Sequence, residues 1–142
     1  MILEFESERL SMIERALEHR HKKLKKLESE PDIVKGNDLI KKDLQKNIEV
    51  IKQVIQLFSN PNTRYVIQKD YSALFCSALE NYRDDLTSTK LALTEKLVKP
   101  ELEFKNVNNE LDLLKDTLEE LCKSNKLGPV EVTDDSLTLF PW

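Results

Sequence analysis

Residues 3–27 read LEFESERLSMIERALEHRHKKLKKL, and from Leu3 onward leucine recurs in this stretch at every seventh position. Ile13 and Leu27 fall at the interleaved positions, so the stretch predicts an a/d seam of about four heptads on one helix. Acidic residues come first and basic residues last, an order that favours the helix macrodipole. We therefore expect helix 1 to cover this stretch and to end shortly before Pro31.

Three further segments carry apolar residues in steps of three and four, which is typical of helices that bury one stripe against neighbours. They span residues 40–58, 67–97 and 104–121. The polar run at 59–63, which contains Pro61, is expected to end helix 2 and to cap helix 3. Glycine occurs only at positions 36 and 128. Tight β-hairpins therefore have few positions at which a positive φ is favourable.

These segments predict an all-α protein, an antiparallel four-helix bundle of long coiled-coil hairpins with a short extended C-terminal tail. We expect a helical bundle domain at 1–128 and the tail at 129–142. Pro100 leaves one alternative open, because proline is tolerated in the first turn of a new helix but also kinks a continuous one. The apolar phase runs unbroken from Leu97 to Phe104. In the alternative, helices 3 and 4 are therefore one helix kinked at Pro100.

The tail follows Gly128-Pro129, a pair that is typical of a helix stop. Residues 130–142 alternate with period two around a turn-like centre, which predicts a small extended or hairpin piece on the bundle, or a mobile tail. Four large apolar side chains in its last six residues are a candidate partner-binding segment. The alternative is that they cover the hydrophobic end of their own bundle. They are Leu137, Leu139, Phe140 and Trp142.

The basic end of helix 1 is a second candidate partner-binding surface. Such clusters attract phosphate groups and anionic lipid. However, the helix offers no interleaved aromatic residue for base stacking and no large apolar face for a bilayer. We therefore favour a basic helix end that faces the acids of another helix. The cluster consists of Arg20, Lys22, Lys23, Lys25 and Lys26.

The remaining candidates for chemistry are histidines and cysteines. Both histidines lie in the run EHRH at 18–21, where the Glu-x-x-His spacing matches that of di-iron bundles. Such a site needs a second motif on a facing helix, and because the chain has no further histidine, the alternative that stays open is a site shared between two copies of the chain. Cys76 and Cys122 lie far apart in sequence, and we interpret them as small buried hydrophobes. We therefore expect no catalytic residue, no metal and no cofactor.

The composition agrees with this interpretation. The 142 residues include 34% charged residues and carry a net charge of −4, which is typical of bundles and argues against a general nucleic-acid binder. A charged N-terminus and the lack of a long apolar run predict an intracellular, cytoplasmic protein. Our hypothesis is a non-catalytic helical interaction protein, a scaffold, adaptor or subunit of a multiprotein complex, with protein partners that include a second copy. The alternative is an electrostatic binder of nucleic acid or anionic membrane through the basic end of helix 1.

Overall fold

The computed structural model describes residues 2–30, 38–66, 70–95, 101–124 and 126–142. Within these residues the chain forms four helices and one four-stranded antiparallel sheet. In chain order the elements are β1 (Leu3–Glu6), α1 (Ser7–Ser29), α2 (Asp38–Ser59), β2 (Thr63–Tyr65), α3 (Tyr71–Thr94), α4 (Glu101–Lys123), β3 (Leu127–Val132) and β4 (Ser136–Pro141). The protein is mostly helical, but the all-α prediction is wrong.

The C-terminal segment is the main reason for this correction. β3 and β4 form an antiparallel hairpin at the centre of the sheet, whose strand order is β1-β4-β3-β2. Leu139 in β4 pairs with Leu3 on one side and with Val130 on the other. The period-two pattern predicted an extended or hairpin piece for this segment. It did not reveal that two distant parts of the chain add a strand on each side.

The first strand comes from residues that fit two patterns at once. Leu3 lies seven residues before Leu10, as the heptad repeat requires. It also lies two residues before Phe5, as the alternation of a strand requires. The structure follows the second pattern, because Leu3 and Phe5 are buried while the two glutamates beside them are exposed. Helix α1 therefore begins at Ser7, and the heptad pattern holds only from there onward.

The connection between α2 and α3 also differs from the prediction. Residues 63–65 form the edge strand β2 instead of capping a helix. Asn62 adopts a φ of 71°, in the left-handed region that asparagine tolerates better than most residues, and its N–H donates to the carbonyl of Val132. α3 is capped by Asp70, whose Oδ1 accepts from the backbone N–H of Ser72 at 2.9 Å.

The main core lies between the inner face of the sheet and the ends of the helices that meet it. Its largest fully buried side chains are Tyr71, Phe5, Phe75, Met12, Ile13, Leu17, Leu79, Leu114, Leu121, Leu137, Leu139 and Val54. A smaller apolar cluster lies farther from the sheet, between α1 and α2. It consists of Leu24, Leu44, Ile48 and Ile51. The sheet therefore closes the end of the helical layer where most of the apolar burial is found.

Helices α3 and α4 pack antiparallel. Tyr82 contacts Glu110, and farther along α3 Lys90 lies over the ring of Phe104. Residue numbers at the contacts therefore increase along α3 and decrease along α4. This packing is incompatible with one continuous helix, because the chain must reverse between the two. Residues 96–100 between the two helices lie outside the described part of the chain. The positions used in the sequence argument that also lie outside it are Pro31, Gly36, Ile67, Leu97 and Pro100.

Candidate partner-binding groove

An open groove of about 740 Å³ separates α1 from α4. It forms because α1 packs mainly against α2 and α3, while α4 packs mainly against α3. The α1 wall of the groove consists of Ser7, Glu8, Ser11 and Arg15. The α4 wall consists of Asn106, Asn109, Glu110, Asp112, Leu113 and Asp116. Both walls are largely polar, so the groove offers hydrogen-bonding groups rather than an apolar pocket.

A partly exposed ion pair joins the two walls. The guanidinium of Arg15 donates from Nε to Oε2 of Glu110 at 2.9 Å and from Nη2 to Oε1 at 2.7 Å, which is the strong bidentate arrangement. Tyr82 in α3 donates its hydroxyl to the same Oε2 at 3.1 Å. This network connects three helices, and two of its members, Arg15 and Glu110, line the groove.

The network also shifts two proton equilibria. The hydrogen bond with Glu110 raises the pKa of Arg15 above its ordinary value. Burial raises the pKa of Tyr82, and the negative charge of Glu110 adds to that effect. At neutral pH the guanidinium stays charged and the phenol stays protonated, because both changes favour the protonated forms. The three groups therefore act as a fixed polar anchor between α1, α3 and α4.

A second polar contact connects α1 to α3 farther from the sheet. Nε2 of His19 lies 2.8 Å from Oδ2 of Asp85, and Nζ of Lys23 donates to both oxygens of Asp85 at 2.9 and 3.1 Å. The hydrogen bond from Lys23 is the main cause that lowers the pKa of Asp85, with smaller contributions from the charges of Lys23 and His19. The ring of His19 also packs against Tyr82, with centroids 5.3 Å apart.

The residues at the basic end of helix 1 lie in different surroundings. Lys23 pairs with Asp85, as expected for a basic helix end that faces acids of another helix. Arg20 is half-buried and lines a separate cleft of about 230 Å³ between α1, α2 and α3. Three other members of the cluster are exposed on the outward face of α1, at positions separated by three and one. They are Lys22, Lys25 and Lys26.

The four candidate residues of the C-terminal segment also separate. Leu137 and Leu139 are fully buried in the core, so a partner cannot reach their side chains in this fold. Phe140 is partly exposed on the outer face of the sheet, and the guanidinium of Arg64 lies 4.5 Å from the centre of its ring. Trp142 is 69% exposed. Of the two alternatives for this segment, packing on its own helices describes the two leucines.

The cysteines differ from the sequence interpretation. Cys76 is partly buried and Cys122 is exposed, so neither is a fully buried hydrophobe. They lie side by side on α3 and α4, with Sγ atoms 3.9 Å apart. Glu18 and His21 on α1 are not joined by further ligands, since the described part of the chain contains no group of three or more His, Cys, Asp or Glu side chains arranged to hold a metal ion.

Several residues of the groove were missed by the sequence analysis. Arg15 and Glu110 are 95 positions apart, and no local pattern relates them. Tyr82 lies within the apolar segment 67–97, but its hydroxyl makes a polar contact. The available signal was the clustering of acids on helix 4, which identifies a charged face without showing which helix it borders.

Searches against protein-family models, curated proteins and solved structures give no match to this chain. Among the described residues, no helix combines the length and the apolar character needed to cross a membrane.

Proposed function

We propose that this protein acts without catalysis, as a scaffold, adaptor or subunit of a multiprotein assembly, and that the groove between α1 and α4 binds its protein partner. The groove itself is the observation that carries this proposal. It lies between two helices of 23 residues each. Its lining runs from Ser7 to Arg15 on α1 and from Asn106 to Asp116 on α4, about two to three turns of each helix, which suits a short helix or an extended segment of another protein.

The α4 wall defines the chemistry of the partner segment. α4 contains seven acidic residues and three lysines. Among the described residues, ion pairs within 4.0 Å engage Glu110 and Glu120 but neither Asp112 nor Asp116. Both aspartates are exposed at the groove. A segment that presents lysine or arginine to this wall is therefore favoured by charge.

An apolar residue extends the same surface towards the far end of the molecule. Leu102 lies four positions before Asn106, so it is on the same side of α4 as the groove. Its side chain is 72% exposed. Leu113 supplies a second apolar contact inside the groove. We therefore expect the partner to present basic side chains together with apolar residues that cover Leu102 and Leu113.

Site-specific photo-crosslinking tests the location of this surface in cells. A photoreactive amino acid replaces Asn106 or Asn109 inside the groove, and in the control it replaces Lys115, an exposed residue on another side of α4. We expect one discrete protein to be crosslinked from the two groove positions and not from position 115. Equal crosslinking from all three positions, or crosslinking from 115 alone, would contradict a groove-bound partner.

Charge reversal then tests the chemistry of the same interaction. The double substitution Asp112→Lys with Asp116→Lys should weaken capture of the crosslinked partner by about tenfold or more, because like charges then face each other. The matched control is Glu80→Lys with Asp84→Lys, which changes two exposed acids at the same spacing on α3. Equal losses in both variants would show a general charge effect instead of recognition by the groove.

A second copy of the chain is one partner with suitable chemistry. Its exposed Lys22, Lys25 and Lys26 match the acidic wall of α4, so two copies packed antiparallel about a two-fold axis bring opposite charges together. We expect light scattering at tens of micromolar to give a dimer mass that falls to a monomer mass in the Asp112→Lys, Asp116→Lys variant. A monomer mass for the parent protein would assign the groove to a different protein.

The exposed lysines also favour one alternative function. Because Lys22, Lys25 and Lys26 share the outward face of α1, they form a small basic patch that attracts nucleic acid or anionic membrane. Binding to single-stranded and duplex nucleic acid and to phosphatidylserine vesicles, measured at two salt concentrations, tests this alternative. It predicts salt-sensitive binding that is lost when the three lysines are replaced by glutamate.

A further inference from the structure

Two cysteines that are 46 positions apart meet where α3 and α4 pack together. Their Sγ atoms are 3.9 Å apart, whereas a disulfide requires about 2.05 Å. The difference is small enough to be closed by rotation of the two side chains and a slight approach of the helices. The thiols are therefore held close to bonding distance by the packing of the fold.

The two thiols differ in accessibility. Cys122 is exposed in the last turn of α4, whereas Cys76 is partly buried against the main core. Burial raises the pKa of Cys76 to about 12, and its hydrogen bond with Cys122 and the charges of Glu80 and Asp70 act in the same direction. Because thiolate is the reactive form and Cys122 is the more exposed thiol, we expect an external reagent to react first with Cys122.

We propose that Cys76 and Cys122 form a reversible internal disulfide by exchange with a small disulfide of the glutathione type. In the first step the thiolate of Cys122 attacks one sulfur of oxidised glutathione, and one glutathione thiolate leaves. In the second step Cys76 loses its proton to solvent and attacks the Sγ of Cys122, and the second glutathione leaves. The two cysteines are oxidised, and oxidised glutathione is reduced to two molecules of glutathione.

This bond links α3 to α4 near the sheet. Thr94 and Glu101, the helix ends that follow each other along the chain, lie farthest from this bond, so the disulfide closes the hairpin at its open end. A crosslink of this kind stabilises a protein mainly by restricting its unfolded chain. Since α4 is one wall of the groove, the bond also fixes that wall on α3. The bond involves only the two cysteines and does not require a partner in the groove.

The test uses the full chain, reduced and then incubated with oxidised glutathione. We expect intact-mass analysis to show loss of two hydrogen atoms, and peptide mapping without reductant to identify the Cys76–Cys122 link. The matched variants Cys76→Ser and Cys122→Ser each retain one thiol and are first checked for native helicity. Cys76→Ser should accumulate one glutathione adduct on Cys122, while Cys122→Ser should react at least about tenfold more slowly because its thiol is partly buried.

Other products would overturn the proposal. Two glutathione adducts on one parent chain, covalent dimers joined through Cys122, or no reaction at all would each show that the thiols do not bond to each other. Thermal unfolding provides an independent readout. The oxidised protein should melt about 5–15 °C higher than the reduced protein and return to the lower value with a reductant. An unchanged or lower melting temperature would contradict a bond that clamps the hairpin.

Discussion

The end of the molecule next to the sheet and the opposite end are stabilised in different ways. Next to the sheet, all four helices and the strands bury large apolar side chains in one cluster. At the opposite end, four aliphatic residues form a small cluster between α1 and α2, and exposed ion pairs such as Lys23 with Asp85 join α1 to α3. Apolar burial contributes far more than exposed ion pairs. Stability is therefore concentrated at the end of the molecule next to the sheet.

Of the changes that test this comparison, removal of residues 130–142 should have the largest effect on stability. It deletes β4 and half of β3, the two central strands of the sheet. Leu3 and Phe5 in β1 then lose their pairing partners and their cover. We expect the truncated protein to lose cooperative thermal unfolding, as measured by circular dichroism.

Removal of Trp142 alone is the control for this truncation. Its side chain is 69% exposed, so its fluorescence should resemble that of a solvated indole and its loss should leave the melting temperature almost unchanged. A protein that lacks 130–142 but melts like the parent would show that the sheet does not hold the core together.

Substitution of two leucines on α1 compares the contributions of the two ends to stability directly. Leu17 is 0% exposed in the main core, and Leu24, seven residues later, is 3% exposed in the small cluster. Leu17→Ala should lower the free energy of unfolding by about 3–5 kcal/mol, and Leu24→Ala by about 2 kcal/mol, because the smaller cluster collapses more easily around a cavity.

Chemical denaturation of the two variants measures this difference. Leu17→Asp serves as a further check, since a carboxylate in the main core should prevent folding or cost more than alanine does. Equal losses for the two alanine variants would mean that the small cluster is packed as rigidly as the main core.

The heptad pattern located the helices well and the sheet poorly, and the reason is physical. Leu10, Ile13, Leu17 and Leu24 are buried as the repeat predicts, because helical periodicity depends on local geometry alone. β1 and β2 have only four and three residues. A strand that short becomes stable only when a distant strand pairs with it, and the sequence does not state which strand that is.

The groove was harder still to predict. It depends on how far α1 and α4 diverge while both pack on α3, and residue spacing along one helix carries no information about that distance. The acidic face of helix 4 was visible in the sequence. Its bridge from Glu110 to Arg15 was not, because the two positions become neighbours only after the helices are packed.

Loss of the ion pair between Arg15 and Glu110 should have a moderate effect on the free energy of unfolding. Arg15 is 48% exposed and Glu110 is 17% exposed, so solvent screens part of the attraction. A double-mutant cycle with Arg15→Ala and Glu110→Ala should give a coupling free energy of about 0.5–1 kcal/mol, helped by the bidentate geometry.

The pair of Arg9 and Glu120 is the natural comparison for that cycle. It is a single contact at 2.7 Å, with side chains 29% and 42% exposed, and its coupling should be smaller. If the Arg15 cycle gives no coupling, the bridge does not hold the groove walls together and the anchor described above has no energetic role.

The smallest expected effect concerns pH and the contact at Asp85. Its pKa is lowered below 3.8 in the folded protein, chiefly by the hydrogen bond from Lys23. The unfolded chain therefore binds this proton more readily, so the contact stabilises the fold fully above about pH 4 and loses its effect as the pH falls through the lowered pKa. Because both side chains are about 40% exposed, the contribution should not exceed about 0.5 kcal/mol.

The variant Asp85→Asn isolates this contribution, with Asp84→Asn as the control because Asp84 is the neighbouring and more exposed aspartate. Unfolding free energies measured between pH 3 and pH 6 should show a small advantage of the parent over Asp85→Asn at the upper end. That advantage should shrink on acidification, since protonation removes the same charge that the substitution removes. A difference that grows as the pH falls would mean that Asp85 is stabilised in its protonated form. The contact with Lys23 would then not be the cause of the shift.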